Sequence, residues 1–599
     1  MDNTKQPQKE KYYEDVEDIC INRKKKSQKD VNMIINIEGD INKKPPKEKS
    51  NNTINNIENS RKLTKDSKET SKEVSIDSII DSQNTKKPSK ETSLSDVKII
   101  SPKKVKSPST TNNTSNPNSS DRELSCDNIF NLKNDNHIIK VLDVDIRTIY
   151  HFDNVVGEGV YGKVRKAHRV DNPSKFFAIK SLSKSKIKNM GQLEKELDII
   201  STLDHPNIIN FFEYYEDKQY FHIITEICSG LDLFDKFKDT EIEESKIITV
   251  FSQIVYAIYY SHNQGIIHRD LKLENIIFEN TSEEAQIKII DWGLSAKFEN
   301  ETNRLKTQTG TPQYIAPEVF KGCYDSQCDI WSIGVMAYEM IVWKFPYNGK
   351  TVEEYQLSLK NDVVNYDYSA FKKVSSKCID FIKGCLQKNP IKRLTIKQCF
   401  EHPWFDEIKL FSLKNQKLDK NMLLRLRKYK PPKSKLQQFI EQNFINLLYE
   451  QEDLKALRNQ FQQMDVNGQP GILTCEDLKT AYAKVNITLD DKEIHEIISR
   501  ADKTQTGVLD YSEFLIASIY SSKIINKDNL TKIFSYFDED STGFIDVMNL
   551  KSVMLRTMRK DIMPKDEEYS MIIKEVVNEQ HKNVITLNDF LQFFGIDTD

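Results

Sequence analysis

The sequence has few of the features that mark secreted or membrane proteins. No apolar run among its 599 residues approaches the roughly 20 residues that a membrane-spanning helix needs, and the N-terminus has no signal-peptide core. The nine cysteines are odd in number and include no Cys-x-x-Cys pair, so a disulfide framework is not expected. Residue 2 is Asp2 and not glycine, which argues against an N-myristoyl signal. We expect a cytoplasmic protein with reduced thiols and no transmembrane segment.

An excess of charge of one sign is also missing. The formal net charge is −3, which gives no reason to expect nucleic acid as a partner. The length suits two or three domains. Residues 1–145 are rich in Lys, Asn, Ser, Asp and Glu and poor in aromatic residues, so they bury too little apolar surface to offset their ordering entropy. We predict that this N-terminal extension is disordered.

From position 150 onward the sequence is typical of folded domains. Short apolar runs alternate with helical patterns up to about residue 405, as expected for an α+β domain. A basic, helix-favouring stretch follows, and loop-like segments then begin at positions 465, 502, 538 and 578. Their similar spacing indicates a repeated helix–loop–helix unit. We predict an α+β domain over 150–405, a junction over 406–455 and an all-α domain over 456–599.

Residues 157–162 follow the pattern Gly-x-Gly-x-x-Gly, which occurs in two kinds of nucleotide site. A dinucleotide-binding fold places a helix directly after the glycines, whereas residues 163–167 are strand-like. A hairpin that covers phosphates fits better, because glycine lets the backbone approach phosphate oxygens. On the next probable strand, Lys180 provides a cation for the α- and β-phosphates. It needs an acidic partner, and Glu196 is a better candidate than Glu194.

Residues 268–275 read His-Arg-Asp-Leu-Lys-Leu-Glu-Asn, a pattern suited to phosphoryl transfer. Asp270 offers a carboxylate that accepts the substrate hydroxyl proton, and Lys272 neutralises the γ-phosphate. The amide of Asn275 can ligate Mg²⁺. Asp291, in Asp-Trp-Gly after a buried-strand run, supplies the main Mg²⁺ carboxylate. These residues predict a catalytic site that uses ATP and Mg²⁺.

An Ala-Pro-Glu motif at 316–318 closes the segment after Asp291, and Arg393 is the expected partner of Glu318. Together these motifs resemble a eukaryotic protein kinase of the calcium/calmodulin-dependent group, although Trp292 stands where the family mostly has Phe. The resemblance implies a bilobal α+β kinase fold over residues 150–405. It also implies an ATP site formed by Val156, Gly157, Glu158, Gly159, Val160, Tyr161, Gly162, Lys163, Val164, Ala178, Lys180, Glu196, Glu226 and Cys228.

The resemblance extends to substrate recognition and to the activation segment. In basophilic kinases of this group, acidic residues at the positions of Asp232 and Glu274 receive substrate arginines, although solvent-exposed acids would look the same. Arg269 precedes the catalytic Asp and commonly pairs with an anion in the activation segment. Here that segment offers Thr307 and Thr309, so we expect phosphate at one of them to provide the partner.

Twelve-residue calcium loops account for the repeated units. Such a loop uses oxygen ligands at positions 1, 3, 5, 7, 9 and 12, with glycine at position 6. The second loop is complete, whereas the third ends in Asn549 instead of glutamate, which should weaken its calcium binding. The expected ligands in the second loop are Asp502, Thr504, Thr506, Asp510 and Glu513. Those in the third loop are Asp538, Asp540, Thr542 and Asp546. The first loop, 465–476, has Pro470 where glycine belongs. The fourth, 578–589, lacks an acid at position 1 and contains Lys582, so both are expected to be degenerate.

The junction between the two domains is basic and amphipathic. Residues 423–430 combine leucines with arginine and lysine, prolines follow at 431–432, and Leu436, Phe439 and Ile440 resume the apolar pattern. Such a helix suits an opened EF-hand groove, while a membrane-surface helix and an ordinary docking helix are the alternatives. The whole arrangement resembles the calcium-dependent protein kinases of plants and protists. That family implies a calmodulin-like domain of four EF-hands and a junction that blocks the kinase until Ca²⁺ draws it away.

We therefore expect a calcium-activated serine/threonine kinase that uses ATP, Mg²⁺ and Ca²⁺ and acts on protein substrates. The alternative is a calcium-binding signalling scaffold whose kinase fold is inert. The presence of Lys180, Asp270, Asn275 and Asp291 favours the enzyme.

Overall fold

The computed structural model describes residues 145–158, 162–187, 190–238, 240–298, 304–406, 417–432, 434–448, 451–466, 469–519, 525–557, 564–577 and 583–596. The predicted N-terminal extension lies outside these ranges except for its last residue. The first described part is a small lobe built on a sheet.

The small lobe contains a five-stranded antiparallel sheet in the order β1-β2-β3-β5-β4. Its elements are β1 (Tyr150–Glu158), β2 (Gly162–Arg169), β3 (Asn172–Ser183), α1 (Met190–Ile200), β4 (Phe211–Glu216) and β5 (Tyr220–Glu226). The helix packs its buried Leu193 and Leu197 against Phe221 and Ile223 of the sheet. This packing fixes the position of α1 beside β3.

The large lobe is mainly helical. Its elements are α2 (Leu233–Phe237), α3 (Glu244–Asn263), β6 (Ile266–Ile267), β7 (Ile276–Phe278), β8 (Ile287–Ile289), β9 (Ala296–Lys297), α4 (Gln327–Val342), α5 (Val352–Asn361), α6 (Ser376–Cys385) and α7 (Ile396–Phe400). Residues 328–342 of α4 are all buried, so this helix forms the centre of the lobe. Strands β7 and β8 pair with each other, and the catalytic and Asp-Trp-Gly segments lie beside them.

The C-terminal part is helical. Its elements are α8 (Lys420–Lys428), α9 (Lys435–Leu448), α10 (Gln451–Met464), α11 (Cys475–Lys484), α12 (Asp491–Ala501), α13 (Tyr511–Ser518), α14 (Lys527–Phe537), β10 (Phe544–Ile545), α15 (Val547–Thr557), α16 (Asp566–Val576), β11 (Ile585–Thr586) and α17 (Leu587–Phe593). Helices α10 to α17 form four helix–loop–helix units, numbered first to fourth below.

The sheet-rich small lobe and the helical large lobe confirm the predicted kinase fold. The helical C-terminal part is consistent with the predicted EF-hands. In the part of the chain that the structure describes, we find no helix with the length and apolar character needed to cross a bilayer.

Candidate functional site

The glycine-rich segment joins β1 and β2 as an antiparallel hairpin. Gly157 pairs with Val164 and Glu158 pairs with Lys163, so a strand and not a helix follows the glycines. This confirms the predicted hairpin and excludes the strand–turn–helix of a dinucleotide-binding fold. A Cβ atom on Gly162 would lie 1.7 Å from the Ser181 carbonyl oxygen, so β2 approaches β3 too closely for any other residue. The tip residues Gly159, Val160 and Tyr161 lie outside the described residues.

Lys180 lies on β3 between two carboxylates. Its Nζ donates to Glu196 Oε1 at 3.1 Å and to Asp291 Oδ1 at 2.9 Å. The predicted pairing with Glu196 is therefore confirmed. Burial lowers the pKa of Lys180, but the two carboxylates outweigh it and leave the pKa above its ordinary value. In turn, Lys180 lowers the pKa of Asp291 to about 2, so this carboxylate is ionised at neutral pH.

Asp270 is held from several sides in the catalytic segment. Its Oδ1 accepts the Thr311 amide at 2.9 Å and the Thr311 hydroxyl at 2.7 Å. Lys272 Nζ lies 3.0 Å from Asp270 Oδ2 and 3.0 Å from the Thr311 hydroxyl. Asn275 Nδ2 donates to the Asp270 carbonyl at 2.8 Å. This contact of Thr311 was not predicted from the sequence, although the position of Thr311 between Asp-Trp-Gly and Ala-Pro-Glu was an available signal.

Asp329, which is fully buried on α4, holds the backbone of residues 268–269 in place. Its carboxylate accepts the amides of His268 and Arg269, both at 2.9 Å, and contacts His262 Nε2 at 2.9 Å. Arg269 has a φ of 69°, a left-handed conformation that is costly for a side-chain-bearing residue. The buried contacts of Asp329 compensate for this strain and present Asp270 to the cleft.

The residues expected to hold ATP and Mg²⁺ fit these groups. Asp291 is 49% exposed, and with the Asn275 amide it provides the hard oxygen donors that Mg²⁺ prefers. Ala178 lies on β3 opposite Thr225, and Cys228 follows β5, where it packs against the large-lobe core. Other expected members are placed along the same hairpin and sheet: Val156, Gly157, Glu158, Gly162, Lys163 and Val164.

Glu226 was expected in the ATP site, but its side chain is engaged elsewhere. Its Oε1 lies 2.8 Å from Lys288 Nζ and accepts the Asn210 amide at 2.7 Å. The carboxylate is thus engaged in the protein interior, because Lys288 is almost fully buried and needs a counter-charge. Any contact of Glu226 with a nucleotide would have to come from its backbone.

The two predicted substrate-binding acids lie near each other. Asp232 caps α2 by accepting the Asp235 amide at 2.7 Å. Burial raises the pKa of Asp232 to about 6, and the negative charges of Asp235 and Glu274 contribute to the increase. The concentration of negative charge around Asp232 provides an environment that favours a cation.

The activation segment ends in a bidentate ion pair between Glu318 and Arg393, at 2.5 and 3.0 Å, as expected. At its start, Arg269 donates to the backbone carbonyls of residues 294 and 295, and its Nη1 donates to the Tyr324 hydroxyl at 3.1 Å. Of the two candidate phosphosites, Thr307 is exposed and Thr309 is buried. Only Thr307 is therefore accessible to a modifying enzyme in this conformation.

The second and third loops share one geometry. Asp502 accepts the amides of Thr506 at 3.1 Å and Gly507 at 2.7 Å. Glu513 accepts the amides of residues 503 and 504 at 2.8 and 3.0 Å and the Asp510 amide at 3.1 Å. These contacts bring the first and last acids of the second loop to the same enclosure.

In the third loop, Asp538 accepts the amides of Thr542 at 2.9 Å and Gly543 at 2.8 Å. The Thr542 hydroxyl donates to Asp540 at 3.2 Å, and Asp546 and Asn549 exchange hydrogen bonds at the start of α15. Asn549 therefore occupies the place of Glu513. Across the described ranges, no group of three or more His, Cys, Asp and Glu side chains is arranged to hold a metal ion.

The register predicted for the first loop was wrong. Leu509, the eighth residue of the second loop, pairs with Leu473, which is the ninth residue counted from Asp465. The backbone turn is made by Gly471, with a φ of 87°, and its amide donates to Asp465 at 2.6 Å. Gly507 has the same role in the second loop, with a φ of 81°.

The first loop thus has one inserted residue and spans 465–477. Asp477 closes it by accepting the Thr474 and Val466 amides at 2.9 and 3.0 Å, whereas Glu476 is exposed. Pro470 is therefore not at the glycine position. In the fourth loop, residues 578–582, including Lys582, lie outside the described residues. Asp589 accepts the amide of Thr586, the N-cap of α17, at 3.0 Å.

The junction helices pack on the helix–loop–helix units. Met422, Leu423 and Leu426 of α8 are fully buried in a cluster formed with the first and second units. In α9, Leu436, Phe439 and Ile440 are buried in a cluster that includes residues of the third and fourth units. Glu441 of α9 lies 3.6 Å from Lys503, the second residue of the second loop.

The helix–loop–helix units also contact the kinase lobes, and these contacts were not predicted from the sequence. Asp204, between α1 and β4, accepts the amide and hydroxyl of Ser512 at 2.8 and 3.0 Å. Glu213 on β4 accepts the Tyr536 hydroxyl at 2.7 Å. The second unit therefore contacts the segment that follows α1, the helix that carries Glu196.

Comparisons with known proteins agree with this geometry. Residues 150–405 match the family model described as a protein kinase domain. "Calcium-dependent protein kinase 5" of Plasmodium falciparum (isolate 3D7) is 32% identical over 467 residues, which cover 77% of this chain and 80% of that protein. "Calcium-dependent protein kinase 3" of Plasmodium berghei (strain Anka) is 33% identical over 441 residues, covering 73% and 78%. "Calcium-dependent protein kinase 14" of Arabidopsis thaliana is 28% identical over 463 residues, covering 76% and 85%.

Proposed function

The chain belongs to the calcium-dependent protein kinase family, and from this premise we propose how its residues carry out calcium-regulated phosphorylation of serine and threonine in proteins. The observation that carries the proposal is the contact of Lys180 with both Glu196 and Asp291. This contact joins the sheet, α1 and the Asp-Trp-Gly segment. It orders the charged groups of the cleft before a substrate arrives, which is the main way a protein accelerates phosphoryl transfer.

In this mechanism the hydroxyl oxygen of the substrate bonds to the γ-phosphorus of ATP, and the bond between that phosphorus and the leaving ADP breaks. Asp270 accepts the proton that the hydroxyl loses. Lys272 places positive charge beside Asp270, and Thr311 fixes the orientation of the carboxylate. When bound, ATP supplies the phosphoryl group and Mg²⁺ neutralises phosphate charge. Asp291 and Asn275 would hold the metal, and Lys180 would orient the phosphates. The other ATP-site residues named above would enclose the nucleotide.

Asp232 and Glu274 would give the enzyme a preference for arginine in its substrates. Two neighbouring carboxylates recognise a guanidinium well, because it offers several charge-assisted donors. Supporting this proposal, Asp235 and Glu274 lie close enough to Asp232 for their negative charges to add to the increase in its pKa that burial causes. Asp232→Asn should reduce kcat/KM for a peptide with arginine upstream of its serine by about tenfold. An alanine-containing peptide serves as control, and equal losses for both peptides would contradict the assignment.

For regulation, we propose that residues 406–455 are an autoinhibitory junction and that 456–599 form a calmodulin-like calcium sensor. The second loop would bind calcium through Asp502, Thr504, Thr506, Asp510 and Glu513, and the third, more weakly, through Asp538, Asp540, Thr542 and Asp546. Both junction helices lie buried against the units, and this supports a released arrangement in which the sensor holds the junction.

The test of autoinhibition is a chain shortened after Arg425. Without the sensor and most of the junction, it should phosphorylate substrates equally in calcium and in EGTA. A shortened chain as inactive as the full chain in EGTA would contradict the proposal. Phosphate on Thr307 would add a second requirement, which mass spectrometry of the active protein tests.

A further inference from the structure

The carboxylate of Asp465, the first residue of the first loop, accepts a hydrogen bond from the kinase domain. The hydroxyl of Tyr256, on α3 of the large lobe, donates to Asp465 Oδ2 at 2.5 Å. The Gly471 amide donates to the same oxygen at 2.6 Å. Asp465 is buried, so these contacts take place away from solvent. The carboxylate oxygen that takes the loop glycine amide is therefore shared with a tyrosine of the kinase domain.

The shape of the loop is also fitted to the kinase. A Cβ atom on Gly471 would lie 2.5 Å from the Tyr260 ring and 2.7 Å from the His205 ring. The corresponding positions at Gly507 and Gly543 have no described atom within 4 Å. All three glycines make the same positive-φ turn, but among them only Gly471 lies against aromatic rings of the kinase domain. The close approach therefore belongs to the interface and not to the loop type.

The helix that enters the first loop continues this contact. Arg458 of α10 forms an ion pair with Glu279 of the large lobe at 2.5 Å, and both side chains are almost fully buried. Gln286 Nε2 lies 3.3 Å from Gln462 of the same helix. A buried ion pair needs its partner to avoid a large desolvation cost, so α10 is matched to this lobe.

We propose that the first helix–loop–helix unit is a docking module for the large lobe, in which the Tyr256 hydroxyl takes the carboxylate that a calcium loop would give to its metal. Docking and metal binding compete for the Asp465 carboxylate, and the turn at Gly471 fits closely against the kinase domain. The proposal goes beyond the proposed function, and docking is measured separately from kinase activity.

Hydrogen–deuterium exchange of the full-length chain in calcium and in EGTA tests the docking. One of the two conditions should protect the peptides covering 465–477 and 253–263. In that condition Tyr256→Phe should increase their exchange about tenfold, because a buried hydrogen bond between the two domains is lost. Tyr259→Phe, on the same helix with its ring against Phe400, is the matched control and should leave 465–477 unchanged. Equal protection in Tyr256→Phe and the parent chain, or the same increase in both variants, would overturn the proposal.

Calorimetric titration with Ca²⁺ tests the loss of metal binding. Asp465→Asn keeps an acceptor oxygen for Tyr256 but removes the charge that a calcium site would need. If the first loop does not bind calcium, the number of ions bound per chain should be the same in this variant and in the parent chain. A decrease by one ion would show that the first loop is a calcium site and would overturn the proposal. Kinase activity is measured on the same samples. If the chain is inactive but its protection depends on Tyr256, only the proposed function is contradicted. If the chain is active but its protection does not depend on Tyr256, only the docking module is contradicted.

Discussion

The contact of the third unit with the small lobe gives a prediction that separates docking from folding. Glu213 on β4 is 1% exposed, and its Oε2 accepts the Tyr536 hydroxyl at 2.7 Å and the Tyr215 hydroxyl at 3.1 Å. Tyr536 comes from the third unit, and Tyr215 comes from the lobe itself. Each hydroxyl is removed by substitution with phenylalanine.

The structure limits the size of the effect. A hydrogen bond to a charged group contributes about 1.5–3 kcal/mol, which corresponds to a change of roughly 10- to 150-fold in an equilibrium constant. In Tyr536→Phe, Glu213 keeps the hydroxyl of Tyr150 at 2.6 Å and the neighbouring guanidinium of Arg556 at 3.5 Å. Because the charge stays compensated, the lower end applies, and docking of the third unit should weaken about tenfold.

The assay is a calcium titration of kinase activity with purified full-length variants. If the docked arrangement is the active one, Tyr536→Phe should raise the calcium concentration for half-maximal activity by up to about tenfold. Tyr215→Phe should lower the thermal stability of the kinase domain but leave the calcium midpoint within about twofold of the parent value. Equal midpoint shifts in the two variants, or none in either, would refute the reasoning.

Three further predictions concern catalysis, calcium and pH. Asp270→Asn should lower kcat by at least about 100-fold while nucleotide binding, followed by fluorescence titration, is kept. Glu513→Gln should abolish most of the calcium response in activity titrations, whereas Asn549→Glu should lower the calcium midpoint, because a bidentate carboxylate binds Ca²⁺ better than an amide. Burial raises the pKa of Asp465 to about 7, so its contribution to docking is complete at low pH and decreases as pH rises through 7. Intrinsically corrected amide protection of 465–477 should therefore be lower at pH 8 than at pH 6, and Asp465→Asn should remove the difference.

Local patterns predicted two structural features of the candidate site. The hairpin at 157–162 and the partner of Lys180 followed from short-range spacing, because strand alternation and motif order fix which side chains face the cleft. The register of the first loop did not follow, since its inserted residue shows only when Leu473 pairs with Leu509.

The docking contacts were even less accessible to sequence reasoning. Tyr256 and Asp465 are 209 positions apart, and Glu213 and Tyr536 are 323 apart. A single tyrosine or carboxylate at such a separation carries no periodic signal. Only the packing of the two domains brings these residues together.

The central claim is that one chain both senses calcium and transfers phosphate. Its most direct test is transfer of the γ-phosphate of radiolabelled ATP to a serine peptide by the full-length protein, in calcium and in EGTA, with Asp270→Asn alongside. We predict rapid transfer in calcium, little in EGTA and none above background for Asp270→Asn. Equal transfer in calcium and EGTA would contradict calcium control, and no transfer by a chain that binds calcium would make the protein a signalling scaffold and not an enzyme.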